Sequence, residues 1–455
     1  MTTNAVILAA GRGIRMRSGL AKALHELGGV PLICHVERAV RKAGLAKPWV
    51  VVGFQAERVE ELLEDRVHIV VQRALRGTGD ALACALAKMP AETDNVVVLV
   101  GDCPLVPPSL IEALIERHRT AGARATIVTT QLGDPTGYGR VARDGDGRVA
   151  AIVEESECDA TTRQIREINT GIGIWQTAGL SEILDGLPWH GEERYLTDAV
   201  AALIAQGHVV EAMAAPEPDL VMGINTRREL SRAEARLREM TLERLFDQGV
   251  TIIDPETTYV DAEVEIECDT ILYPMTCVRG KSRLGRGCRI GPMTTIVDSK
   301  LGDEVTVDRS AVEHSVIGSH STVGPFSHLR AGTHLDRNVH VGNFVELKNT
   351  RVGIGSKAGH HSYLGDATIG SNVNIGAGTV IVNYDGREKH PTFIGDDAFI
   401  GCNANLVAPL EIGSGAYVGA GSTITQNVPA DALGIARNRQ ENKSGWAKGR
   451  RPEAR

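Results

Sequence analysis

Two stretches near the start of the chain bring together residue types that handle phosphate. The run LAAGRGIRM follows an apolar segment directly, carries Arg15, and is followed seven residues later by Lys22. A glycine-rich strand-to-helix turn exposes backbone N–H groups that can cradle a phosphate, and the two cations add charge. Alone, such a turn is as readily structural. Its weight grows with an ordered series downstream: QRALRGTGDA (Gln72, Gly77, Thr78), VGDCPL (Asp102), PTGYGR (Gly139), IVEE (Glu154), EINTG (Asn169) and GINTR (Asn225). Asp102 ends a strongly apolar run, which puts a carboxylate at the carboxyl edge of a sheet, the ligand side of an open α/β fold.

A second group lies in the other half: LRAG (Arg330), VGNFVELKN (Glu346, Lys348), GSKAGHHSYLGD (His360, Tyr363), VNIGAG (Asn374), VNYDG (Asn383, Tyr384) and IAR (Arg437). Transfer of an acyl group to an amine needs a base with a pKa near 7, the usual work of His. His360 has polar neighbours suited to that role, whereas His361 reads as an inert surface residue.

These groups need scaffolds of two kinds. From residue 4 to about 225, β-branched runs (AVILAAG, WVVVG, HIVVQ, VVVLVGD, ATIVTT) alternate with helical patterns such as PLICHVERAVRKAG and SLIEALIERHRTAG. That is an α/β unit with a mostly parallel sheet. Residues 226–249 form a linker, predicted as one amphipathic helix from the spacing of Leu230, Ala233, Leu237, Met240 and Leu245. From 250 to 437 aliphatic residues recur every sixth position: Ile317, Val323, Leu329, Leu335, Val341 and Leu347, then Ile394, Ile400, Leu406, Ile412, Val418 and Ile424. A period of two cannot hold that pattern, and a sustained short repeat signals a solenoid. Three hexads closing a triangular coil, with coils rising roughly 4.8 Å, predict some eight coils and a prism on the order of 40 Å long. Residues 382–393 break the period and are expected to project as a loop. The tail 438–455 is basic and unpatterned, expected to be disordered as a free tail, with Trp446 as a docking residue.

Composition narrows the classes. At 455 residues the chain needs more than one core. A net charge of -8 argues against a general nucleic-acid binder. Eight scattered cysteines without C-x-x-C spacing read as reduced thiols of a cytoplasmic protein. The opening MTTNAVILAAG suits a buried strand better than a signal peptide or membrane span.

With these motifs in register over nearly its full length, the chain resembles the bacterial bifunctional N-acetylglucosamine-1-phosphate uridylyltransferase/glucosamine-1-phosphate N-acetyltransferases. The resemblance implies a Rossmann-like nucleotidyltransferase domain (1–225) and, after the helix, a left-handed parallel β-helix of hexapeptide repeats. It implies that Leu8, Ala9, Ala10, Gly11, Gln72, Gly77 and Thr78 hold UTP, with Arg15 and Lys22 acting on its phosphates. Asp102 and Asn225 become Mg²⁺ ligands, and Gly139, Glu154 and Asn169 contact the sugar of N-acetylglucosamine 1-phosphate. In the second domain His360 becomes the general base, with Glu346 and Asn383 as supporters. Arg330, Lys348, Tyr363 and Asn374 hold glucosamine 1-phosphate. Ala377, Asn383, Tyr384, Cys402, Ala420 and Arg437 line the acetyl-coenzyme A site, shared between subunits of a homotrimer. Ile14, Ala21 and Cys402 depart from the family's usual Thr, Pro and Ser. Two other readings stay open: a single-activity sugar-nucleotide pyrophosphorylase with a structural β-helix, and a non-enzymatic scaffold like the translation-factor exchange subunits.

Overall fold

The computed structural model describes residues 1–450; the last five residues of the basic tail, 451–455, lie outside the described residues. The chain divides into a compact unit Met1–Glu239 and a second beginning at Met240, the division falling inside the helix Arg227–Asp247.

In the first unit the apolar runs pair as a sheet in the order Val210–Ala214, Ala125–Gln131, Glu167–Gln176, Asn95–Val100, Thr3–Ala9, Trp49–Val52, His68–Val71. The last four are mutually parallel, while Glu167–Gln176 runs antiparallel to both its neighbours. Continuous apolar runs are explained by two covered faces. Ile7, Val50, Val97 and Leu99 join one core with the helices Leu32–Lys42 and Pro108–Ala121. Their neighbours Val6, Val51, Val96 and Val98 join another with the helices Gly77–Leu86 and Asp198–Ala205. The antiparallel strand carries a bulge between Asn169 and Gly173, with Gly171 at φ +79°, which re-aims its side chains at the sheet's end.

The linker is one helix, as its spacing predicts. Leu230, Ala233 and Leu237 pack against Leu27, Leu32, Leu105, Leu220 and Ile224 of the first unit, while Leu242 and Leu245 belong to the core of the second. Thr226 and Glu229 form a capping box: the Glu229 N–H donates to Thr226 Oγ1 at 3.2 Å, and Glu229 Oε2 accepts from the Thr226 N–H at 2.8 Å.

In the second unit the hexad aliphatics of both series are all buried in a single core. Short parallel strands stack coil on coil: Thr322 opposes His340, His340 opposes Lys357, and Lys357 opposes Asn374. One face alone is a nine-stranded parallel sheet, one rung more than the expected eight coils. Asn374 then opposes Phe399, a longer step, because a segment leaves the coil there. The projecting part is shorter than the predicted 382–393. Thr392 is fully buried and begins the strand Thr392–Ile394.

A second inward position accompanies each hexad aliphatic: Ser315, Ser321, Ser327 and Thr333 are buried two residues before Ile317, Val323, Leu329 and Leu335. Their hydroxyls serve backbone groups that turn away from the ladder at the corners. Ser299 Oγ accepts from the Ser315 N–H at 3.1 Å, Ser310 Oγ from the Ser327 N–H at 3.1 Å, and Ser321 Oγ from the Val339 N–H at 3.1 Å. Tail residues 438–448 are exposed, and Trp446 lies under the Arg450 guanidinium at 4.1 Å.

Leu347, fully buried, stacks between Leu329 and Leu364 on adjacent coils. Leu347→Ala is expected to lower the second unit's unfolding free energy by about 3 kcal/mol, read by denaturant titration. The exposed neighbour change His361→Ala should leave that titration unmoved.

Candidate functional sites

The carboxyl ends of Thr3–Ala9 and Asn95–Val100 open into two adjoining cavities. The first, about 290 Å³, is lined by Leu8, Ala9, Ala10, Gly11, Lys22, Gln72, Gly77, Thr78, Asp102 and Tyr195. The second, about 240 Å³, is lined by Gly139, Glu154, Asn169, Thr197 and Asn225, and it shares Leu8, Thr78 and Asp102 with the first. Residues assigned from sequence to a nucleotide and to a sugar thus lie on either side of Asp102.

Lys22 occupies the junction. Its ammonium donates to Asp102 Oδ2 and, at 2.9 Å, to Asn225 Oδ1; Arg15 reaches the same Asn225 oxygen at 2.8 Å. Each partner is placed by a distinct local device. Gly13 has φ +72°, and a Cβ there would come within 2.7 Å of the Lys22 Cβ, so glycine lets the turn and the lysine pass. Asn225 precedes the capping box, and its own N–H donates to Glu229 Oε2 at 2.6 Å. Asp102 lies in the turn two residues past the strand Asn95–Val100. Ala21, a departure from the usual proline, has an N–H that donates to Gln55 Oε1 at 2.9 Å, and Gln55 Nε2 donates back to the Gly19 carbonyl at 3.0 Å. The loop is therefore strapped by hydrogen bonds where a proline would stiffen it. Ile14, the other departure, is exposed and touches none of these groups.

Two oxygens converging on one ammonium form a place for a cation. Among the described residues no cluster of three His, Cys, Asp or Glu could hold a metal ion. An ion held by Asp102 and Asn225 would take its other ligands from water and phosphate oxygens, which is Mg²⁺ behaviour, so the residues fit that ion.

On the sugar side, burial pushes the Glu154 carboxyl above its usual range, countered by the Thr197 hydroxyl, which donates to Glu154 Oε1 at 2.8 Å. Burial first, then the nearby acids Glu229, Cys103 and Asp102, push the Tyr138 phenol up to about 12, so it stays a neutral donor. The Gly139 turn is fixed by the buried Arg140, paired with Glu155 at 2.7 Å. Tyr195 and Thr197 were not singled out in the sequence; the segment carrying them reaches both cavities. The Leu196 N–H donates to Thr78 Oγ1 at 2.9 Å and the Gly79 N–H to the Arg194 carbonyl at 3.0 Å.

In the second unit, coil stacking sorts the candidates into rows. Asn343 opposes His360 and Glu346 opposes Tyr363. His360 Nδ1 meets Asn343 Oδ1 at 2.6 Å. The side chain hydrogen-bonded to His360 is thus Asn343, while Glu346 and Asn383, expected beside it, bond elsewhere. Glu346 accepts from Arg330 at 2.8 Å, and Asn383 donates to Asp366 and, at 3.5 Å, to the Tyr363 hydroxyl. With Asn343 as acceptor, Nδ1 carries the hydrogen and Nε2 is left as the basic nitrogen.

Arg330, Lys348 and Tyr363 form one cationic group, joined by Lys389 from the projecting loop. Its ammonium lies against that of Lys348 and pushes the Lys348 pKa down. Asn374 falls in the row of His340 and Lys357 and makes no side-chain hydrogen bond to that group among the described residues. Ala377, Cys402, Ala420 and Arg437 continue from His361 as consecutive rungs of one corner. The Gly378 N–H donates to His361 O at 2.8 Å, the Asn403 N–H to Ala377 O at 2.7 Å, the Gly421 N–H to Cys402 O at 2.8 Å and Arg437 to Ala420 O at 2.7 Å. Cys402 and Tyr384 are exposed.

The family model described as a MobA-like NTP transferase domain matches residues 5–172, and that of the bacterial transferase hexapeptide (six repeats) matches 391–426. The bifunctional protein GlmU of Carboxydothermus hydrogenoformans is 46% identical over 446 residues, 97% of this chain and 99% of that one. Those of Heliobacterium modesticaldum and Geobacillus thermodenitrificans are 46% and 45% identical over 444 residues, 97% of each chain. The chain belongs to the GlmU family. Because the match takes in both units, the single-activity and scaffold readings give way to a bifunctional transferase. No helix among the described residues is long and apolar enough to cross a membrane, and all eight cysteines are free thiols.

The Asn343–His360 contact predicts a signature of its own. Asn343→Ala should lower the maximal rate of acetyl transfer on the order of ten- to a hundredfold by releasing the imidazole. Asn343→Asp should move the acidic limb of the pH–rate profile to higher pH, because a carboxylate at Nδ1 favours the protonated ring, which cannot act as base. An unmoved profile in a well-folded Asn343→Asp variant would refute this pairing's role.

Proposed function

We propose that the chain makes UDP-N-acetylglucosamine in two steps, acetylating glucosamine 1-phosphate in the second unit and uridylylating the product in the first. The observation that carries the nucleotidyl half is the pair of cavities joined at Asp102 with Lys22 between them. UTP takes the first cavity and N-acetylglucosamine 1-phosphate the second. A sugar-phosphate oxygen attacks the α-phosphorus, the P–O bond to the β-phosphate breaks, and pyrophosphate leaves with no net proton transfer. Lys22 and Arg15 offset the charge of two anions brought together, and holding both in adjoining cavities removes most of the entropic barrier. Gln72 accepts from the uracil ring, Glu154 and Asn169 hold the sugar hydroxyls and amide, and Mg²⁺ held by Asp102 and Asn225 supplies further charge to the phosphates.

For the acetyl half, the sugar phosphate sits on Arg330, Lys348 and Lys389, and acetyl-coenzyme A runs along the corner from Ala377 to Arg437. The amine attacks the thioester carbonyl, His360 Nε2 takes the amine proton, and the C–S bond breaks to release the coenzyme A thiol, which takes up a proton. Asn374 joins this site through sugar contacts of its own, and Cys402 contributes its backbone; its thiol is a weak donor. The work is done in the cytoplasm, consistent with unpaired cysteines, by a homotrimer. A solenoid corner is convex, and a ligand as long as coenzyme A needs enclosure from a second copy.

Asp102→Ala should abolish pyrophosphate release and spare thiol release, with His360→Ala doing the reverse. A chelator should mimic only the first of these variants. Loss of both activities in either folded variant would refute two independent sites.

Mixed trimers test the shared site. Inactive His360→Ala and Arg437→Ala chains, unfolded and refolded together, should regain part of the acetyl transfer. Verified mixed trimers without any recovery would count against sharing.

A further inference from the structure

Gln72 is 3% exposed, and its backbone N–H donates to the Val52 carbonyl at 2.8 Å. Its side-chain nitrogen Nε2 lies 2.7 Å from Asp80 Oδ2 and 3.1 Å from the Gly77 carbonyl oxygen. A carbonyl and an ionised carboxylate only accept hydrogen bonds. Both amide hydrogens of Gln72 are therefore held by protein acceptors, and the orientation of the carboxamide follows from chemistry. The oxygen end, Oε1, is the acceptor that this cavity-lining residue retains for a ligand.

We infer that Asp80 makes the nucleotide cavity select uracil over cytosine by fixing which end of the Gln72 carboxamide meets the base; this rests on the uridine reading of that cavity. Uracil presents a donor, N3–H, between two carbonyls. Cytosine presents a lone pair at N3 and an amino group at C4. An oxygen-first carboxamide accepts from uracil N3–H but sets lone pair against lone pair at cytosine N3. A flipped carboxamide would suit cytosine instead. Sites that discriminate through such a hydrogen bond reject the mismatched ligand strongly, since a buried polar group is left unpaired.

Of the two groups that prevent the flip, Asp80 is the stronger. A hydrogen bond to a carboxylate is roughly twice as strong as one between neutral groups, and the Gly77 carbonyl supplies only the neutral kind. Asp80 lies in the first turn of the helix Gly77–Leu86, where the helix favours a negative charge. The same turn bears Thr78, so the orienting carboxylate and the nucleotide loop are built on one rigid element. Asp80 is thus a positioning residue: it acts on the base through Gln72.

The test compares kcat/KM for UTP, CTP and TTP with N-acetylglucosamine 1-phosphate in the full chain and in Asp80→Ala, Asp80→Asn and Gln72→Ala. TTP here is the ribonucleotide, 5-methyl-UTP, which keeps the N3–H edge of UTP and adds only a methyl group, so it reports any general damage to the site. Asp80→Ala should lower the UTP-to-CTP ratio about tenfold, the equivalent of one charge-assisted hydrogen bond, with the UTP-to-TTP ratio unchanged. Asp80→Asn, which keeps a neutral acceptor and the side chain's shape, should fall between. Equal loss for all three nucleotides in both Asp80 variants would overturn the inference in favour of a merely structural role. An unchanged UTP-to-CTP ratio in the Asp80 variants, with a lowered one in Gln72→Ala, would overturn it while leaving the role of Gln72 standing. An unchanged ratio in Gln72→Ala as well would overturn the base-reading assignment beneath it.

Discussion

The meeting of Lys22 with Asp102 and Asn225 is the contact around which the first unit is organised. The three residues come from a glycine turn, a strand end and a helix cap far apart in sequence, and each is delivered by a feature with no other evident purpose. Gly13 clears the path of Lys22, the Thr226–Glu229 capping box fixes the residue before it, and the apolar strand Asn95–Val100 ends two residues before the carboxylate. The contact also balances charge. An ammonium beside a carboxylate at a half-buried cavity junction avoids leaving either charge unpaired. The same oxygens then remain available to a small divalent cation, and the ammonium to phosphate.

In the second unit the governing constraint is the stacking of coils. Each rung must place an aliphatic and, two residues earlier, a second residue such as Ser315, Val345 or Ala404 inside, so the inward positions carry no chemistry. Function is confined to outward positions, and stacking turns sequence intervals into rows. Asn343 and His360 meet because they lie one coil apart, as do Glu346 and Tyr363. The cationic group recruits Lys389 only because the segment that leaves the coil returns a lysine to the Lys348 row.

Much of this was legible in the sequence, for reasons that also explain what was not. Continuous β-branched runs and a six-residue period are imposed by burial, so the sheet, the helix and the solenoid could be read directly. Glycine turns and strand-end carboxylates point to phosphate chemistry only as an ordered series, since each alone is as readily structural. The hydrogen-bond partner of His360, Asn343, was not singled out, since choosing among outward polar residues requires the coil length at that rung. The buried hydroxyls passed unnoticed as ordinary small residues. Tyr195 and Thr197 carry no motif, and only the tertiary contact of their segment with Thr78 and Glu154 brings them to the cavities.

The two units build sites by opposite geometry. A twisted sheet diverges at the carboxyl edge of its parallel strands, so its loops enclose a cavity without help, and one chain suffices to form both cavities. A triangular coil is convex at every corner. The row from His361 to Arg437 can line one side of an extended ligand but cannot cover it, and the projecting loop reaches only the sugar-phosphate group. In the proposed homotrimer, closure would come from outside the coil. A second identical prism is the economical source, because parallel rows of equal rung spacing match one another along their whole length. On this reasoning the solenoid's regularity would serve catalysis as well as folding: the repeat that aligns residues within a chain would also align one chain's row with the next in the proposed trimer.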